Sequence, residues 1–196
     1  MRIYTARHGQ TSWNNEGRMQ GHTDIPLDET GIAQAHKLSE RFKDIKISKI
    51  YSSDLSRALE TARIINKHHN VEIIVETDLR EMSFGQFEGR LLSEVGDQLT
   101  ALRGSGKEVP GGERSDELFA RVHSCLEKII AENDEDILIA GHGGSSKAIV
   151  CYFLGLSTEH FNSIGIGNTS VHCFEQSGSD LHFKMIIDND VSHLEN

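Results

Sequence analysis

Basic, imidazole and acidic side chains follow the predicted strands of this chain. Arg7 and His8 come directly after an apolar N-terminal stretch, and His142 follows a second apolar stretch. Arg57 lies near the start of a predicted helix, and Glu81 follows a third strand after a short loop. In open α/β sheets, ligands bind beyond the carboxyl ends of the strands. We therefore expect two arginines, two histidines and one acid at a single edge of the sheet.

Arg7 and His8 are the most informative pair among these residues. A strand that ends in a cation, an imidazole and the glycine Gly9 has little structural purpose. Arginine can bind a phosphate through two parallel hydrogen bonds. Histidine can act as a nucleophile, a general base or a metal ligand. The pair therefore indicates chemistry at a phosphate group or at a metal ion.

Metal and cofactor signatures do not occur in the sequence. There is no HExxH or CxxC spacing, and the other histidines are scattered. The segment around residues 104–107 lacks both the first glycine and the hydroxyl residue of a phosphate-binding loop. We therefore expect neither a metal ion nor a bound cofactor.

Arg57 and His142 each have a simpler structural explanation as well. A lone arginine near a helix start is usually a solvated surface residue, although a cation there opposes the helix dipole. A bound anion would reverse that effect and take the free backbone N–H groups. His142 could equally be an exposed residue in a tight glycine turn. Taken one at a time, these residues leave both alternatives open.

Hydrophobic periodicity predicts strands that alternate with helices. The predicted strands cover residues 2–6, 45–51, 71–75, 136–140, 169–174 and 181–187. Predicted helices start at Asp28 and at Ser53 or Asp54, with weaker helicity over 91–102, an amphipathic stripe over 118–130 and a helix over 147–154. Residues 103–112 are predicted as a loop, and Gly178-Ser179 as a hairpin turn.

Alternating strands and helices imply parallel βαβ units and a sheet that is covered on both faces. The C-terminal hairpin makes the sheet mixed. We therefore predict an α/β fold, a three-layer α/β/α sandwich around a mostly parallel, mixed sheet. No linker or internal repeat divides the sequence, so residues 1–196 are predicted to form a single domain.

Composition limits the partners of the chain. The 196 residues include 20 Lys and Arg against 30 Asp and Glu, which gives a net charge of −10 and a pI near 5.5. This balance argues against nucleic acid and membrane surfaces as partners. The apolar runs are too short for a membrane span or a signal peptide, and three widely spaced cysteines form no disulfide framework. We expect a soluble, cytoplasmic protein; whether it forms a homodimer stays open.

Several motifs together resemble one known family. The sequence contains RHGQTSWN at residues 7–14, GRMQG at 17–21, SSDLSRA at 52–58, LREMSFG at 79–85, PGGE at 110–113 and GHGG at 141–144. Their order and spacing resemble the histidine phosphatase superfamily, in the branch of cofactor-dependent phosphoglycerate mutase. The resemblance does not include the last third of the chain. Gln10 departs from the mutase pattern, which usually has Glu there, but Gln also occurs among the phosphatases.

The resemblance implies a role for each site residue. His8 would be the nucleophile that becomes phosphohistidine, and Glu81 would donate and accept the proton. Arg7, Arg57 and a cationic His142 would hold the phosphoryl oxygens, which is charge stabilisation that needs no metal. The residues implied near the phosphate and substrate are Asn14, Gln20, Gly21, Thr23 and Gly143.

Two activities of this family share the first half-reaction. The related mutases are longer, through an insertion that encloses the substrate and carries basic residues, whereas the segment between Gly89 and Gly111 is short here. An open pocket admits water, so we predict a phosphatase for small phosphate monoesters, with a cofactor-dependent phosphoglycerate mutase as the alternative. Its substrate, whether α-ribazole phosphate, phosphoserine, a sugar phosphate or many monoesters, stays open. A non-catalytic phosphate-binding module would require the loss of His8 or Glu81, and both are present.

Overall fold

A six-stranded sheet forms the centre of the computed structural model, which describes residues 1–105, 107, 109–177 and 182–195. Its strands are β1 (Arg2–Arg7), β2 (Lys49–Ser52), β3 (Glu72–Val75), β4 (Ile137–Gly141), β5 (Val171–Ser177) and β6 (His182–Asp190). They lie in the order β3-β2-β4-β1-β5-β6. Strands β1 to β4 pair in parallel, while β5 runs antiparallel to both β1 and β6. The predicted mixed, mostly parallel sheet is confirmed.

Helices cover both faces of this sheet. They are α1 (Ser12–Glu16), α2 (Glu29–Phe42), α3 (Ser56–Asn66), α4 (Leu92–Gly104), α5 (Ser115–Ala131) and α6 (Gly143–Leu154). Apolar residues of α2 and α3 pack into one core cluster, and those of α5 and α6 pack into another on the opposite face. The predicted three-layer α/β/α sandwich is therefore confirmed. The prediction that residues 1–196 form a single domain stays a prediction.

Strand β4 shows why its sequence is continuously apolar. All five of its residues are buried. Ile137 and Ile139 belong to the cluster with α5 and α6, whereas Leu138 and Ala140 belong to the cluster with α2 and α3. Successive side chains of a strand point to opposite faces, so a strand with helices on both sides has no polar face.

Helix α2 begins where the sequence predicts, because the Asp28 carboxylate accepts a hydrogen bond from the Gly31 amide at 2.7 Å. Helix α6 begins at Gly143, four residues before the predicted start at residue 147. The sequence predicts a turn at the two glycines after His142, but they form the first helical turn. This difference puts the amino end of α6 directly at the carboxyl end of β4.

The predicted cap of α3 is wrong. The residue before this helix is Leu55, and it makes no side-chain capping bond. Ser53 instead hydrogen-bonds the His142 ring at 2.9 Å, and the Asp54 carboxylate pairs with Arg80 at 2.7 Å. Both side chains are therefore used in tertiary contacts that sequence spacing does not reveal.

Other boundaries differ for local reasons. Strand β2 begins at Lys49 rather than at residue 45, because its first partner on β4 is Ile137. Strand β5 spans 171–177 instead of 169–174, and α4 includes residues 103 and 104 of the predicted loop. Helix α1 was not predicted, since it buries no residue and has no hydrophobic stripe. The predicted turn at Gly178-Ser179 and the strand start at Leu181 lie outside the described residues.

Candidate active site

The carboxyl ends of three parallel strands meet at one edge of the sheet. Arg7 on β1 pairs in register with Gly141 on β4, and the next residues, His8 and His142, lie side by side. Their ring centroids are 5.2 Å apart. Strand β2 flanks β4 on the other side and delivers Ser53 to the His142 ring. The sheet topology therefore brings together residues that are far apart in the sequence.

His8 is held in one tautomer. Its Nδ1 atom lies 2.6 Å from the carbonyl oxygen of Gly9. A carbonyl oxygen can only accept, so Nδ1 carries the proton and Nε2 carries the free lone pair. Burial and the nearby Arg7 and Arg57 guanidinium groups hold the pKa of His8 well below its usual value. A neutral imidazole with a free Nε2 is the form that can attack an electrophile.

His142 is fully buried and is not the exposed turn residue of the simpler explanation. Its Nε2 atom lies 2.9 Å from Ser53 Oγ, and its Nδ1 atom is buried without a partner in the described part of the chain. Burial, Arg57 and His8 hold the pKa of His142 well below its usual value. These effects disfavour the cationic ring in the absence of a bound anion, and the expectation of a cationic His142 around a phosphoryl group stays a prediction.

Arg57 is a buried cation and Arg7 a half-buried one, and both have free donors. Arg57 is 0% exposed, so the solvated-surface explanation is wrong. Its guanidinium donates to the carbonyl oxygens of Gly21 at 2.8 Å and Thr23 at 3.0 Å, and Arg7 donates to that of Ile166 at 2.8 Å. The Nε atom of each arginine is buried, and neither Nε has a hydrogen-bond partner among residues 1–105, 107, 109–177 and 182–195. Burial lowers the pKa of both guanidinium groups.

Glu81 approaches the same edge from the loop after β3. Its Oε1 atom accepts from the amides of Met82 and Gly144, each at 2.8 Å. A side chain at position 144 would displace this oxygen, so Gly144 lets the carboxylate keep its contact with the amide. A Cβ atom built on Gly143 would lie 3.5 Å from Glu81 Oε2 and 3.8 Å from Arg7 Cζ. Gly143 therefore leaves the space between the acid and the guanidinium open.

The residues implied near the substrate occupy two places. Gly21 and Thr23 lie beside Arg57 and accept its hydrogen bonds through their carbonyl oxygens. Asn14 lies in α1 and Gln20 directly before Gly21. Both are bound to Thr11, whose hydroxyl contacts their side-chain oxygens at 3.2 and 3.0 Å. The structure thus gathers Gly21, Thr23 and Gly143 around the charged groups, while the Gln20 oxygen is already bound to Thr11.

Two contributions to the site were missed in the sequence. Ser53 was interpreted as a helix cap, yet it orients His142. Asn168 precedes β5, and its side-chain amide donates to the carbonyl oxygen of His8 at 3.1 Å and to Asn14 Oδ1 at 3.3 Å. Asn168 lies in the last third of the chain, which carries no motif, so only the β1–β5 pairing reveals its place.

The described residues contain no group of three or more His, Cys, Asp or Glu that could hold a metal ion. Among the same residues, no helix has the length and apolar character to cross a lipid bilayer.

Comparison with known proteins places this geometry in a family. The sequence model of the histidine phosphatase superfamily (branch 1) matches residues 3–189. A phosphoglycerate mutase-like protein 4 of Arabidopsis thaliana is 36% identical, over 98% of this chain and 86% of its own length. A putative phosphoserine phosphatase 2 of Hydrogenobacter thermophilus is 35% identical, over 87% of each chain.

A solved structure shows the same fold. A variant of phosphoserine phosphatase from Entamoeba histolytica, in complex with phosphoserine, superimposes with a TM-score of 0.88 at 28% identity, over 98% of both chains. The family match spans almost the whole sequence, and the sheet order, the paired histidines and the buried arginines occupy the matched region. The chain belongs to the histidine phosphatase superfamily, branch 1.

Proposed function

We propose that this protein hydrolyses small phosphate monoesters through a phosphohistidine intermediate on His8. One observation carries the proposal: Arg7, Arg57 and His142 direct unpartnered buried nitrogen atoms into a site where His8 presents a free Nε2 lone pair. Buried polar groups are almost always hydrogen-bonded, so a cluster of unsatisfied donors indicates a ligand with several acceptors. A phosphoryl group has three such oxygens and the charge that two guanidinium groups require.

His142 can donate to the phosphoryl group without being cationic. The Ser53 hydroxyl can donate to His142 Nε2 across their 2.9 Å contact, which leaves the proton of the neutral ring on Nδ1. Nδ1 is the buried atom without a partner in the described chain. A bound dianion would also favour protonation of the ring.

In the first step, His8 Nε2 attacks phosphorus and the bond from phosphorus to the ester oxygen breaks. Nδ1 keeps its proton on the Gly9 carbonyl oxygen, so the imidazole becomes a cationic phosphohistidine. Glu81 in its acid form gives its proton to the departing alkoxide, which is otherwise a poor leaving group. The arginines hold the three equatorial oxygens as their charge redistributes.

In the second step, a water molecule attacks phosphorus from the side that the alcohol has left. The Glu81 carboxylate takes a proton from this water, and the bond from phosphorus to Nε2 breaks. The electron pair returns to His8, and inorganic phosphate is released. The same carboxyl group therefore serves both steps and ends in the form in which it began.

Phosphatase rather than mutase activity is supported by the short segment between Gly89 and Gly111, in which the described residues include helix α4. The relatives carry both kinds of name, phosphoglycerate mutase-like and phosphoserine phosphatase. Phosphoserine and 3-phosphoglycerate are therefore the first monoesters to test. A phosphatase releases inorganic phosphate from 3-phosphoglycerate, whereas a mutase moves the phosphoryl group within it, and analysis of the products distinguishes the two activities.

A reducing compartment is part of the proposal. Cys125, Cys151 and Cys173 are all buried and free. Buried free thiols and the absence of a disulfide framework in the sequence are typical of cytoplasmic proteins. The net charge of −10 argues against nucleic acid as a partner. It also opposes an anionic monoester at long range, so the attraction must come locally from Arg7 and Arg57.

Chelation should leave the activity unchanged, because two guanidinium groups supply the charge stabilisation that a metal ion provides in other phosphatases. We expect equal turnover of p-nitrophenyl phosphate with and without EDTA, measured after dialysis against the chelator. Loss of turnover that a divalent cation restores would contradict the metal-independent mechanism.

Arg57→Ala and His142→Ala should each lower kcat by about 10²–10³-fold, the range seen when one donor to a developing negative charge is removed. Arg57→Lys keeps the charge but not the planar set of donors, so it should also lose most of the rate. The matched control is Arg63→Ala on the same helix, since the Arg63 side chain is 60% exposed. Activity of Arg57→Ala within a few-fold of Arg63→Ala would exclude a role in the transition state.

A further inference from the structure

Arg121 on α5 uses three of its five N–H groups on the segment that carries Glu81. Its Nη1 donates to the carbonyl oxygens of Asp78 at 2.7 Å and Arg80 at 2.9 Å. Its Nη2 donates to the carbonyl oxygen of Glu81 itself at 2.9 Å. The remaining N–H groups, on Nε and Nη2, bind the Glu113 carboxylate at 2.6 and 2.8 Å. Guanidinium has five donors, and all five are engaged.

Glu113 binds the other side of the same segment. Its backbone amide donates to the carbonyl oxygen of Ser83 at 2.9 Å, and its Oε2 accepts from the Ser83 amide at 3.3 Å. The carboxylate also forms the ion pair with Arg121, and the two side chains are only 14% and 19% exposed. Arg121 and Glu113 therefore hold the backbone before and after Glu81.

These contacts of Arg121 and Glu113 limit where the Glu81 carboxyl group can lie. The Glu81 carbonyl oxygen accepts a second hydrogen bond from His22 Nε2 at 2.8 Å. With the backbone fixed, the side chain reaches the amides of Met82 and Gly144 through Oε1, which leaves Oε2 toward Gly143 and Arg7. Proton transfer requires such placement, because a misplacement of about 1 Å can cost about 10²-fold in rate.

We propose that Arg121, held by Glu113, is a positioning residue for proton transfer by Glu81. The inference rests on the proposed function of Glu81 as the acid. Arg121 does not touch the phosphoryl group in this arrangement, since its five donors are engaged elsewhere. Its effect is therefore expected in the two proton transfers that Glu81 makes, to the leaving group and from the attacking water.

Lysine cannot replace Arg121 in this role. An ammonium group has three donors at one point, whereas the guanidinium spans three carbonyl oxygens and a carboxylate at once. Arg121→Lys keeps the positive charge and much of the packing, so it isolates the loss of alignment. Glu113→Gln is a second variant with a smaller expected effect. Its amide keeps the shape of the side chain but removes the negative charge that contacts Arg121.

The experiment compares kcat/KM for benzyl phosphate and p-nitrophenyl phosphate, which are similar in size. Benzyl alkoxide needs a proton to leave, and p-nitrophenolate does not. The value of kcat/KM depends only on the steps up to departure of the alcohol, so the later attack by water does not affect it. We expect Arg121→Lys to lower the benzyl to p-nitrophenyl ratio by about 10- to 100-fold, and Glu113→Gln to lower it by a smaller factor. The control Arg63→Ala should leave the ratio unchanged.

A double variant tests whether Arg121 acts through Glu81. In Glu81→Gln the acid is gone, so adding Arg121→Lys should lower the ratio no further, and the two effects should be non-additive. Additive losses, or equal losses on both substrates in Arg121→Lys, would show a general structural role and overturn the inference. If Glu81→Gln itself leaves the ratio unchanged, the proposed function of Glu81 fails instead. Should Arg121→Lys not fold, as judged by thermal unfolding, an unchanged ratio in Glu113→Gln overturns the inference.

Discussion

His8→Ala should lower kcat for every phosphate monoester by about 10⁴-fold or more, because the covalent nucleophile is removed. No other group in the site can take its place. Among the histidines, His142 lies nearest, but its Nε2 is bound to Ser53 and its ring is fixed beside α6. His8 alone combines a protonated Nδ1, held by the Gly9 carbonyl oxygen, with a free Nε2 next to two buried guanidinium groups.

The same variant should lose a characteristic covalent label. Rapid quench of the unmodified protein with a ³²P-labelled monoester should trap phosphate in a bond that acid breaks and base preserves, as a phosphoramidate does. His8→Ala should show no label. The matched control is His36→Ala on the exposed side of α2, which should be labelled normally. Label that maps to His142, or inversion of configuration at phosphorus with no trapped species, would contradict the phosphohistidine mechanism.

Glu81→Gln should separate substrates by their leaving groups. The glutamine oxygen can still accept from the amides of Met82 and Gly144, so the loop should keep its conformation. Glutamine cannot give a proton to an alkoxide, and loss of general acid catalysis costs about 10²–10⁴-fold. We expect that loss in kcat/KM for benzyl phosphate and a change of only a few-fold for p-nitrophenyl phosphate.

Two neighbouring carboxyl groups could in principle supply the proton instead of Glu81. Burial alone would raise the pKa of Glu88, but hydrogen bonds from Thr23, His22 and Phe84 outweigh it and hold this pKa below its usual value. Glu113 is engaged in the ion pair with Arg121. Equal changes in kcat/KM for both substrates in Glu81→Gln would show that Glu81 does not protonate the leaving group and that one of these acids does.

The sequence alone determined the parts of this protein that depend on short stretches of chain. The short apolar runs of β1 and β4, the Asp28 cap and the amphipathic helices each produce a signal within a few residues, so the three-layer fold was predictable. The motifs around Arg7, Arg57, Glu81 and His142 indicated the family in the same way. The β5–β6 pairing was predictable from two apolar runs close together in the chain.

Only the tertiary structure decided what these residues are bonded to. Ser53 reads locally as a helix cap, but its partner His142 is 89 residues away. Asn168 reaches a carbonyl oxygen 160 residues away, and Arg121 contacts the Glu81 segment 40 residues upstream. The pKa of His142 also depends on the tertiary structure, because burial beside Arg57 holds it well below its usual value. Hydrogen bonding and desolvation depend on distances in space, and only the pairing of the strands sets those distances.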